Sequence, residues 1–306
     1  MRGEFRRIAH DLSAPAIAAL ASCWGGAILT RRNTMSERRS NTMVLLSRES
    51  LSIAIAAAGM LAQTSFGSGE FQYGTISEAG TVCATARAES PFQGQFDEEI
   101  TCVPISNGSG FAVATASRQD VGGPCTVTNR SHATLTTAYV LTTDPGQLGI
   151  GGESLAVHTV RASSTGDGCH VPAVCFLGKA VADAESDLLI DVNFTLEQDT
   201  RIKVTICGLS RNVDEGSSTF EWRLFDEGGN EIAACLLQVN GIGEDAGPVF
   251  VFDAPMGDYL WQVSYHTQGL RVTASVVECP QSDSDSLIGG DAWAATLTIV
   301  KFGQVP

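Results

Sequence analysis

The stretch Leu188-Leu-Ile-Asp-Val-Asn-Phe-Thr-Leu196 alternates apolar and polar side chains with a period of two residues. The apolar positions are Leu188, Ile190, Val192, Phe194 and Leu196, and the polar ones are Asp191, Asn193 and Thr195. Successive side chains of a strand point to opposite faces of its sheet, so the pattern predicts a strand with one buried and one wet face. Half-buried strands of this kind are typical of antiparallel sheets.

The same alternation recurs on both sides of this strand. Further strands are predicted at 81–87, 100–105, 111–117, 133–142, 155–161, 176–184, 202–206, 220–224, 232–237, 249–252, 259–265, 272–276 and 293–299. In the strand at 202–206, the apolar set is Ile202, Val204 and Ile206. Turn signals separate many strands, and no segment shows a helical period. The sequence therefore predicts an all-β fold, an antiparallel two-sheet sandwich of jelly-roll type.

Turn-rich segments suggest the organisation of the chain. Loops are predicted at 120–124 and 144–152, where proline and glycine cluster. Asn107-Gly-Ser-Gly110 marks a boundary. We therefore expect a leader at 1–62, an N-terminal β-hairpin extension at 63–107 and the jelly-roll sandwich at 108–306.

The first 62 residues have the pattern of a cleaved export signal. Arg31, Arg32, Arg38, Arg39 and Arg48 precede the apolar run Leu51–Ala62, which ends in small residues. The run is shorter than the ~20 apolar residues that a membrane-spanning helix needs. We expect cleavage near Ala62 and a mature protein that is secreted, periplasmic or at the cell surface of a bacterium. Met35 and Met43 are alternative starts.

An upstream segment offers a second route to the cell surface. Leu20-Ala21-Ser22-Cys23 resembles a bacterial lipobox and follows Arg6, Arg7 and an apolar run. In this alternative, Cys23 is lipidated and anchors the protein to a membrane. Lipoprotein processing would leave the run Leu51–Ala62 exposed in the mature chain, which favours the downstream signal.

The cysteines predict an oxidising compartment. Of nine cysteines, eight follow the leader: Cys83, Cys102, Cys125, Cys169, Cys175, Cys207, Cys235 and Cys279. An even set behind an export signal indicates a disulfide framework. Local pairs are predicted for Cys83 with Cys102 and for Cys169 with Cys175. A zinc site from Cys169, His170, Cys175 and His158 is the alternative, although structural zinc sites prefer two to four residues between paired cysteines.

The charge balance excludes one class of partner. The chain has 34 acidic against 19 basic residues, and its formal net charge is −15. Such a surface repels phosphate backbones, so we expect no nucleic-acid partner. No apolar run after the leader is long enough to span a membrane.

Acidic residues near the end of the chain form a calcium candidate. Asp283, Asp285 and Asp291 lie in a predicted loop with serine and glycine, and calcium prefers oxygen ligands in flexible loops. The glycine positions depart from an EF-hand loop, so a solvated acidic loop is the alternative. Asp226, Glu227 and Asn230 form a second candidate that is also a plain turn. No other cofactor is expected.

No motif for catalysis is present. A Gly-x-Ser-x-Gly elbow is absent, and no base is placed beside a serine by sequence. Four large aromatic residues share a strand face with the apolar residues that are expected to be buried: Trp222, Tyr259, Trp261 and Trp293. Aromatic side chains in such positions pack in a core more often than they stack on sugars. We therefore expect a protein that is not an enzyme.

Residues 186–278 resemble the bacterial pre-peptidase C-terminal type of β-sandwich. The resemblance lies in Phe194-Thr-Leu196, in Trp222-Arg-Leu-Phe-Asp-Glu-Gly-Gly-Asn-Glu-Ile232 and in Phe252-Asp-Ala-Pro-Met-Gly-Asp-Tyr-Leu-Trp-Gln-Val263. It implies a jelly-roll module without catalytic activity in an exported protein. This chain departs from the family in having cysteines within the segment and no peptidase domain before it.

These observations predict an exported interaction or structural protein with an unknown surface glycan or protein as its partner. A carbohydrate-binding module, with or without calcium, is the alternative. A secreted hydrolase of unrecognised type is the second alternative.

Overall fold

The structure, a computed structural model, describes residues 70–90, 95–122, 125–166, 178–277 and 280–300. These residues form 14 strands. No helix among them is long and apolar enough to cross a membrane. The strands are β1 (Phe71–Glu89), β2 (Phe96–Pro104), β3 (Ser109–Gly122), β4 (Cys125–Asp144), β5 (Gln147–Thr165), β6 (Gly178–Leu196), β7 (Thr200–Arg211), β8 (Ser217–Asp226), β9 (Glu231–Asn240), β10 (Gly243–Ala246), β11 (Phe250–Ala254), β12 (Gly257–Gln268), β13 (Val272–Val276) and β14 (Gln281–Val300).

Two seven-stranded antiparallel sheets pack face to face. Sheet A has the order β2-β1-β6-β12-β8-β9, and β13 pairs with the first residues of β6. Sheet B has the order β10-β7-β14-β5-β4-β3, and β11 pairs with the first residues of β7. This arrangement confirms the predicted all-β, antiparallel two-sheet sandwich. The predicted leader at 1–62 and Cys23 lie outside the described residues.

Most of the described residues of the predicted N-terminal extension, those of β1 and β2, lie in sheet A. β1 and β2 pair as a hairpin across Cys83 and Cys102. β1 also pairs with β6 along nearly its whole length, from Phe71 to Glu89. The hairpin therefore supplies one edge of sheet A and the strand next to it.

The alternating stretch Leu188–Leu196 is part of β6, in the interior of sheet A. All five of its apolar side chains are buried, and Asn193 on the other side is exposed. The strand is longer than predicted, because β6 continues back to Gly178 without a break. It joins the strands predicted at 176–184 and 188–196.

The predicted alternation of β7 is wrong at Ile206. Ile202 and Val204 are buried, but the next buried side chain is Cys207. The register with β14 shifts here, because Val204 pairs with Leu297 and Ile206 pairs with Thr296. Thr205 is thus the extra residue of a β-bulge, which changes the parity of all the residues that follow it.

The loop predicted at 144–152 is also wrong. Only Pro145 and Gly146 form a turn, and β5 begins at Gln147. A Cβ atom at Gly152 would lie 2.2 Å from the Trp293 ring, so glycine is needed here for close packing within a strand. One of the glycines that suggest a loop in the sequence, Gly152, therefore makes room for an aromatic side chain.

The core between the sheets has two different halves. Five long strands, β1, β4, β5, β6 and β14, run through both. What we call the alanine half buries mostly small side chains: Ala84, Ala86, Ala88, Ala114, Ala133, Ala156, Ala162, Ala180, Ala182, Ala184 and Ala274. What we call the aromatic half buries large ones: Phe194, Phe220, Trp222, Tyr259, Trp261, Tyr265 and Trp293.

Candidate functional site

The structure brings four of the predicted cysteines together in two disulfides. Cys83–Cys102 joins β1 and β2 on the outer face of sheet A, as the sequence predicts. Cys207–Cys235 joins β7 of sheet B to β9 of sheet A. Gly247 packs on this second disulfide, because a Cβ atom there would lie 2.3 Å from the Cys235 sulfur.

The remaining cysteines are not described as pairs. Cys169, Cys175 and Cys279 lie outside the described residues, and so does the predicted Cys169–Cys175 loop. Cys125 is the first residue of β4, and its side chain is not among those described.

The predicted calcium loop is a strand. Asp283, Asp285 and Asp291 all belong to β14, so the first and the last are eight positions apart along a strand, or about 26 Å at 3.3 Å per residue. Asp283 accepts a hydrogen bond from the backbone N–H of Ser275 at 2.8 Å, and Asp291 is buried. The structure therefore does not bring these three carboxylates together. No group of three or more metal-ligating residues occurs within the described ranges.

Asp291 belongs to a buried ion pair with Arg211, its cross-strand partner in sheet B, and the two side chains point toward sheet A. Both its side chain and that of Arg211 have 0% exposure, and the Nη1–Oδ1 distance is 3.2 Å. Ser218 and Tyr265 donate hydrogen bonds to Oδ2 of Asp291 at 2.6 and 2.7 Å. Burial and the charge of Asp291 raise the pKa of Tyr265 well above its ordinary value, so its hydroxyl stays a donor. The cluster is closed to ligands, and its polar atoms are hydrogen-bonded within it except for Nε of Arg211, which is buried and has no hydrogen-bond partner among the described residues.

His158, the fourth ligand of the zinc alternative, is also occupied. It is fully buried in β5, its Nε2 lies 2.7 Å from the carbonyl oxygen of Leu270, and Nδ1 accepts the N–H of Thr134 at 3.3 Å. Burial lowers the pKa of His158, which favours the neutral ring. With both ring nitrogens hydrogen-bonded to the backbone, His158 has no lone pair for a metal.

Trp222, Tyr259, Trp261 and Trp293 are core residues, as predicted, with exposures of 5% or less. They cannot form a sugar-stacking platform on the surface. These four residues are therefore not available to stack on a sugar.

One histidine–carboxylate pair lies on the surface. His266 Nδ1 is 2.5 Å from Asp187 Oδ1 on the outer face of sheet A. Within the described ranges, no hydroxyl or thiol is hydrogen-bonded to Nε2 of this ring. The pair is thus not part of a nucleophilic constellation there.

The site we consider in detail is a groove on the outer face of sheet B. It has a volume of about 460 Å³ and crosses β3, β4 and β5 in the alanine half. Two rows of paired residues run across it. One row contains Thr115, His132 and Thr159, and the other contains Ser117, Arg130 and Arg161. On β14, Ser286 extends the first row and Ser284 the second. We call this surface the arginine groove.

The arginine groove places two like charges directly opposite each other. Arg130 and Arg161 are cross-strand partners, so their Cβ atoms lie about 5 Å apart. Like charges in this position destabilise a sheet. Both side chains are exposed, and neither makes an ion pair with any residue that the structure describes.

Most of the other described arginines have an ion-pair partner, and the exception is Arg271, which is exposed and has no described carboxylate within 4 Å. Those with a carboxylate within 4 Å are Arg87, Arg118, Arg201, Arg211 and Arg223. In a chain of net charge −15, a carboxylate beside every arginine would be easy to supply. The carboxylate at the rim of the groove, Glu99, accepts hydrogen bonds from the backbone N–H and the hydroxyl of Thr115 instead.

The backbone that holds Arg130 is fixed from below. The two neighbours of Arg130 in β4, Asn129 and Ser131, point into the core and form hydrogen bonds with sheet A. Asn129 donates to the carbonyl oxygen of Glu89 and Ser131 to the carbonyl oxygen of Val181, each at 2.5 Å. A Cβ atom at Gly178 would lie 2.7 Å from the Asn129 side chain, so the packing here is close. The groove therefore has a rigid base.

Arg130 and Arg161 are not among the residues that the sequence analysis singles out. A signal exists in β4, where the outward positions from Thr126 to Thr136 are Thr, Thr, Arg, His, Thr and Thr. Six outward positions without a carboxylate are unusual in so acidic a chain. The pairing of Arg130 with Arg161 depends on the two-residue turn at 145–146. The sequence predicts a longer loop at 144–152, which gives no register between β4 and β5.

Comparisons with known proteins do not identify the chain. No family model and no curated protein matches it. The resemblance of 186–278 to the pre-peptidase C-terminal module therefore stays a prediction.

Solved structures give only distant similarities. The enzymatically active domain of bacteriophage CBA120 tailspike protein 4 is 12% identical, over 64% of this chain and 21% of that chain, with a TM-score of 0.19. A mutant VP2 protein of infectious bursal disease virus is 10% identical, over 81% of this chain and 74% of that chain, with a TM-score of 0.20. A structure of the Gx strain of the same virus is 10% identical, over 79% of this chain and 76% of that chain, with a TM-score of 0.19. The chain spans about a fifth of the tailspike chain, and similarities at this level carry no functional argument.

Proposed function

We propose that the protein is exported and acts without catalysis, as a secreted or cell-surface interaction protein that binds its partner through the arginine groove. The observation that carries the proposal is the cross-strand pair Arg130 and Arg161, which has no carboxylate partner among the described residues. A surface with no ligand gains nothing from this repulsion. A ligand that accepts hydrogen bonds from both arginines would offset it.

Two observations support export. Disulfides persist in oxidising compartments outside the cytosol, and two are present in the described part of the chain. The predicted leader provides the route to such a compartment. Cys207–Cys235 also joins the two sheets, so oxidation contributes directly to the fold.

The geometry favours this function over the two alternatives. A calcium-dependent sugar module finds no support in Asp283, Asp285 and Asp291, which are spread along β14. The tryptophans and the tyrosine considered for sugar stacking, Trp222, Tyr259, Trp261 and Trp293, are buried. A hydrolase finds no support in His266 and Asp187, which lie on an open sheet face. Glycan recognition without these features is compatible with the groove and is part of the proposal.

A steric block tests where the partner binds. Thr159→Trp places a large side chain in the groove, while Thr273→Trp makes the same change at an exposed position on the outer face of sheet A. The purified, oxidised protein and both variants would be screened on a glycan array and against cell-envelope extracts, with and without calcium.

We expect Thr159→Trp to abolish binding and Thr273→Trp to preserve it, with the same melting temperature for both. Equal binding by all three proteins would reject the groove as the binding surface. In a parallel assay, eight free thiols in the denatured, unreduced protein would reject maturation in an oxidising compartment.

A further inference from the structure

We infer that the ligand of the arginine groove is a glycan that carries a sulfate or phosphate ester. This inference rests on the proposed function and adds the chemical class of the ligand. It is argued from the geometry of the two arginines, from the hydroxyl groups around them and from the charge of the remaining surface.

The arginine pair fits a tetrahedral oxyanion better than a carboxylate. A guanidinium group donates two parallel hydrogen bonds to one anion, and such a fork engages both oxygens of a carboxylate, so that a second fork must share the same two atoms. A sulfate or phosphate ester has three free oxygens, which can accept hydrogen bonds from two forks at once. Arg130 and Arg161 are side by side in one row, which places two forks on the same ligand group.

The surroundings of the pair fit a sugar. Ser117 and Ser284 continue the arginine row on either side, and His132 and Thr159 lie in the neighbouring row. Hydroxyl groups both donate and accept hydrogen bonds, as sugar hydroxyls do. The volume of about 460 Å³ lies in the range of small-ligand sites, so the groove can hold the ester together with the sugar that bears it.

The charge of the protein excludes densely charged ligands. The outer face of sheet A has Asp183, Glu185, Asp187 and Asp191 along β6 alone. The whole chain has a net charge of −15. Long-range repulsion therefore opposes nucleic acids and anionic membranes, whereas contacts within the Debye length of about 8 Å are governed by the local arginines. The surface thus selects a neutral polymer with widely spaced anionic esters.

A set of polymers with one backbone and different substituents tests the inference. Neutral dextran, carboxymethyl dextran, and dextrans with a low degree of sulfation or phosphorylation would be titrated against the full protein by calorimetry. Competition by inorganic sulfate and inorganic phosphate then shows which ester is preferred. Arg130→Gln and Arg161→Gln remove one charge each, and Arg271→Gln is the control at an exposed arginine away from the groove.

We expect the sulfated or the phosphorylated dextran to bind at least tenfold more tightly than carboxymethyl dextran, and neutral dextran not to bind. Each groove substitution should weaken binding by about tenfold or more, since hydrogen bonds to charged groups are the strongest kind. Arg271→Gln should have no effect, and added salt should weaken binding.

Three outcomes would overturn the inference. They are equal binding of carboxymethyl dextran, binding that Arg130→Gln and Arg161→Gln leave unchanged, and binding to vesicles of anionic lipid that depends on both arginines while the dextran esters do not bind. If glycans without sulfate or phosphate esters bind on the array and Thr159→Trp abolishes that binding, the proposed function is supported and the inference of an ester ligand is rejected. If Thr159→Trp changes no binding, the proposed function itself falls.

Discussion

The alanine half and the aromatic half share five strands, yet they hold the two sheets together by different means. In the aromatic half, stacked pairs such as Phe194–Tyr259 and Tyr265–Trp293 fill a wide space, with ring centroids 5.4 and 5.1 Å apart. In the alanine half, the facing strands β4 and β6 approach until Cα atoms lie within 8 Å of each other. Stacked sheets usually lie about 10 Å apart.

This difference separates the main source of stability from the surface that we propose for binding. Large aromatic side chains bury the most apolar area per residue, so the aromatic half supplies much of the hydrophobic stabilisation. The alanine half gains less from burial, but short side chains and hydrogen bonds between sheets, such as that of Ser131, leave its strands little freedom to move. The arginine groove lies on the outside of this thin, rigid half, where a fixed spacing of two guanidinium groups is easiest to maintain.

The largest effect should come from breaking the ion pair in the aromatic half. Asp291→Asn leaves Arg211 buried without a compensating charge, which typically costs about 3–5 kcal/mol in the free energy of unfolding. Chemical denaturation of the oxidised protein measures this loss. Asp291→Leu also removes the charge that compensates Arg211 and should lower the free energy of unfolding by a similarly large amount.

The double variant Arg211→Met with Asp291→Leu is the control for this change. It removes both charges, and Ser218 and Thr267 still hydrogen-bond each other, so most of the lost stability should return. A loss below about 1 kcal/mol for Asp291→Asn would mean that water reaches the pair, contrary to its 0% exposure.

A smaller effect should come from enlarging a side chain in the alanine half. Ala182→Leu adds volume where the sheets are closest, and overpacking of this kind costs about 1–3 kcal/mol. Ala234→Leu makes the same change at an exposed position of β9 and should shift stability by less than about 0.5 kcal/mol. Equal stability of the two variants would show that the alanine half has room to spare.

The sequence predicts the strands well where side-chain parity is uninterrupted. Phe220, Trp222 and Leu224 in β8 and the four inward residues of β12 are buried as their alternation indicates. The predictions fail where a contact with another strand decides. The bulge at Thr205 comes from the register with β14, and Gly152 of β5 is explained by the ring of Trp293.

The same limit explains what was missed in the candidate site. Arg130 and Arg161 are 31 positions apart in the chain, and only the register of β4 with β5 makes them neighbours. The predicted calcium site fails for the opposite reason, since Asp283 to Asp291 are close in sequence but extended in β14. The division of the core into two halves likewise needs the pairing of distant strands.

The smallest effect concerns one of the buried polar residues of the alanine half, His158. Because burial lowers its pKa in the folded protein, the unfolded chain binds more protons below the ordinary histidine value of about 6.5, and stability falls as the pH falls through this value. The slope is at most about 1.4 kcal/mol per pH unit for one proton. His158→Gln keeps an N–H that can donate to the carbonyl of Leu270 and does not titrate, so its stability should change less between pH 7.5 and 5.5. Parallel curves for the two proteins in denaturation experiments would show that His158 is not the group that couples this half of the sandwich to pH.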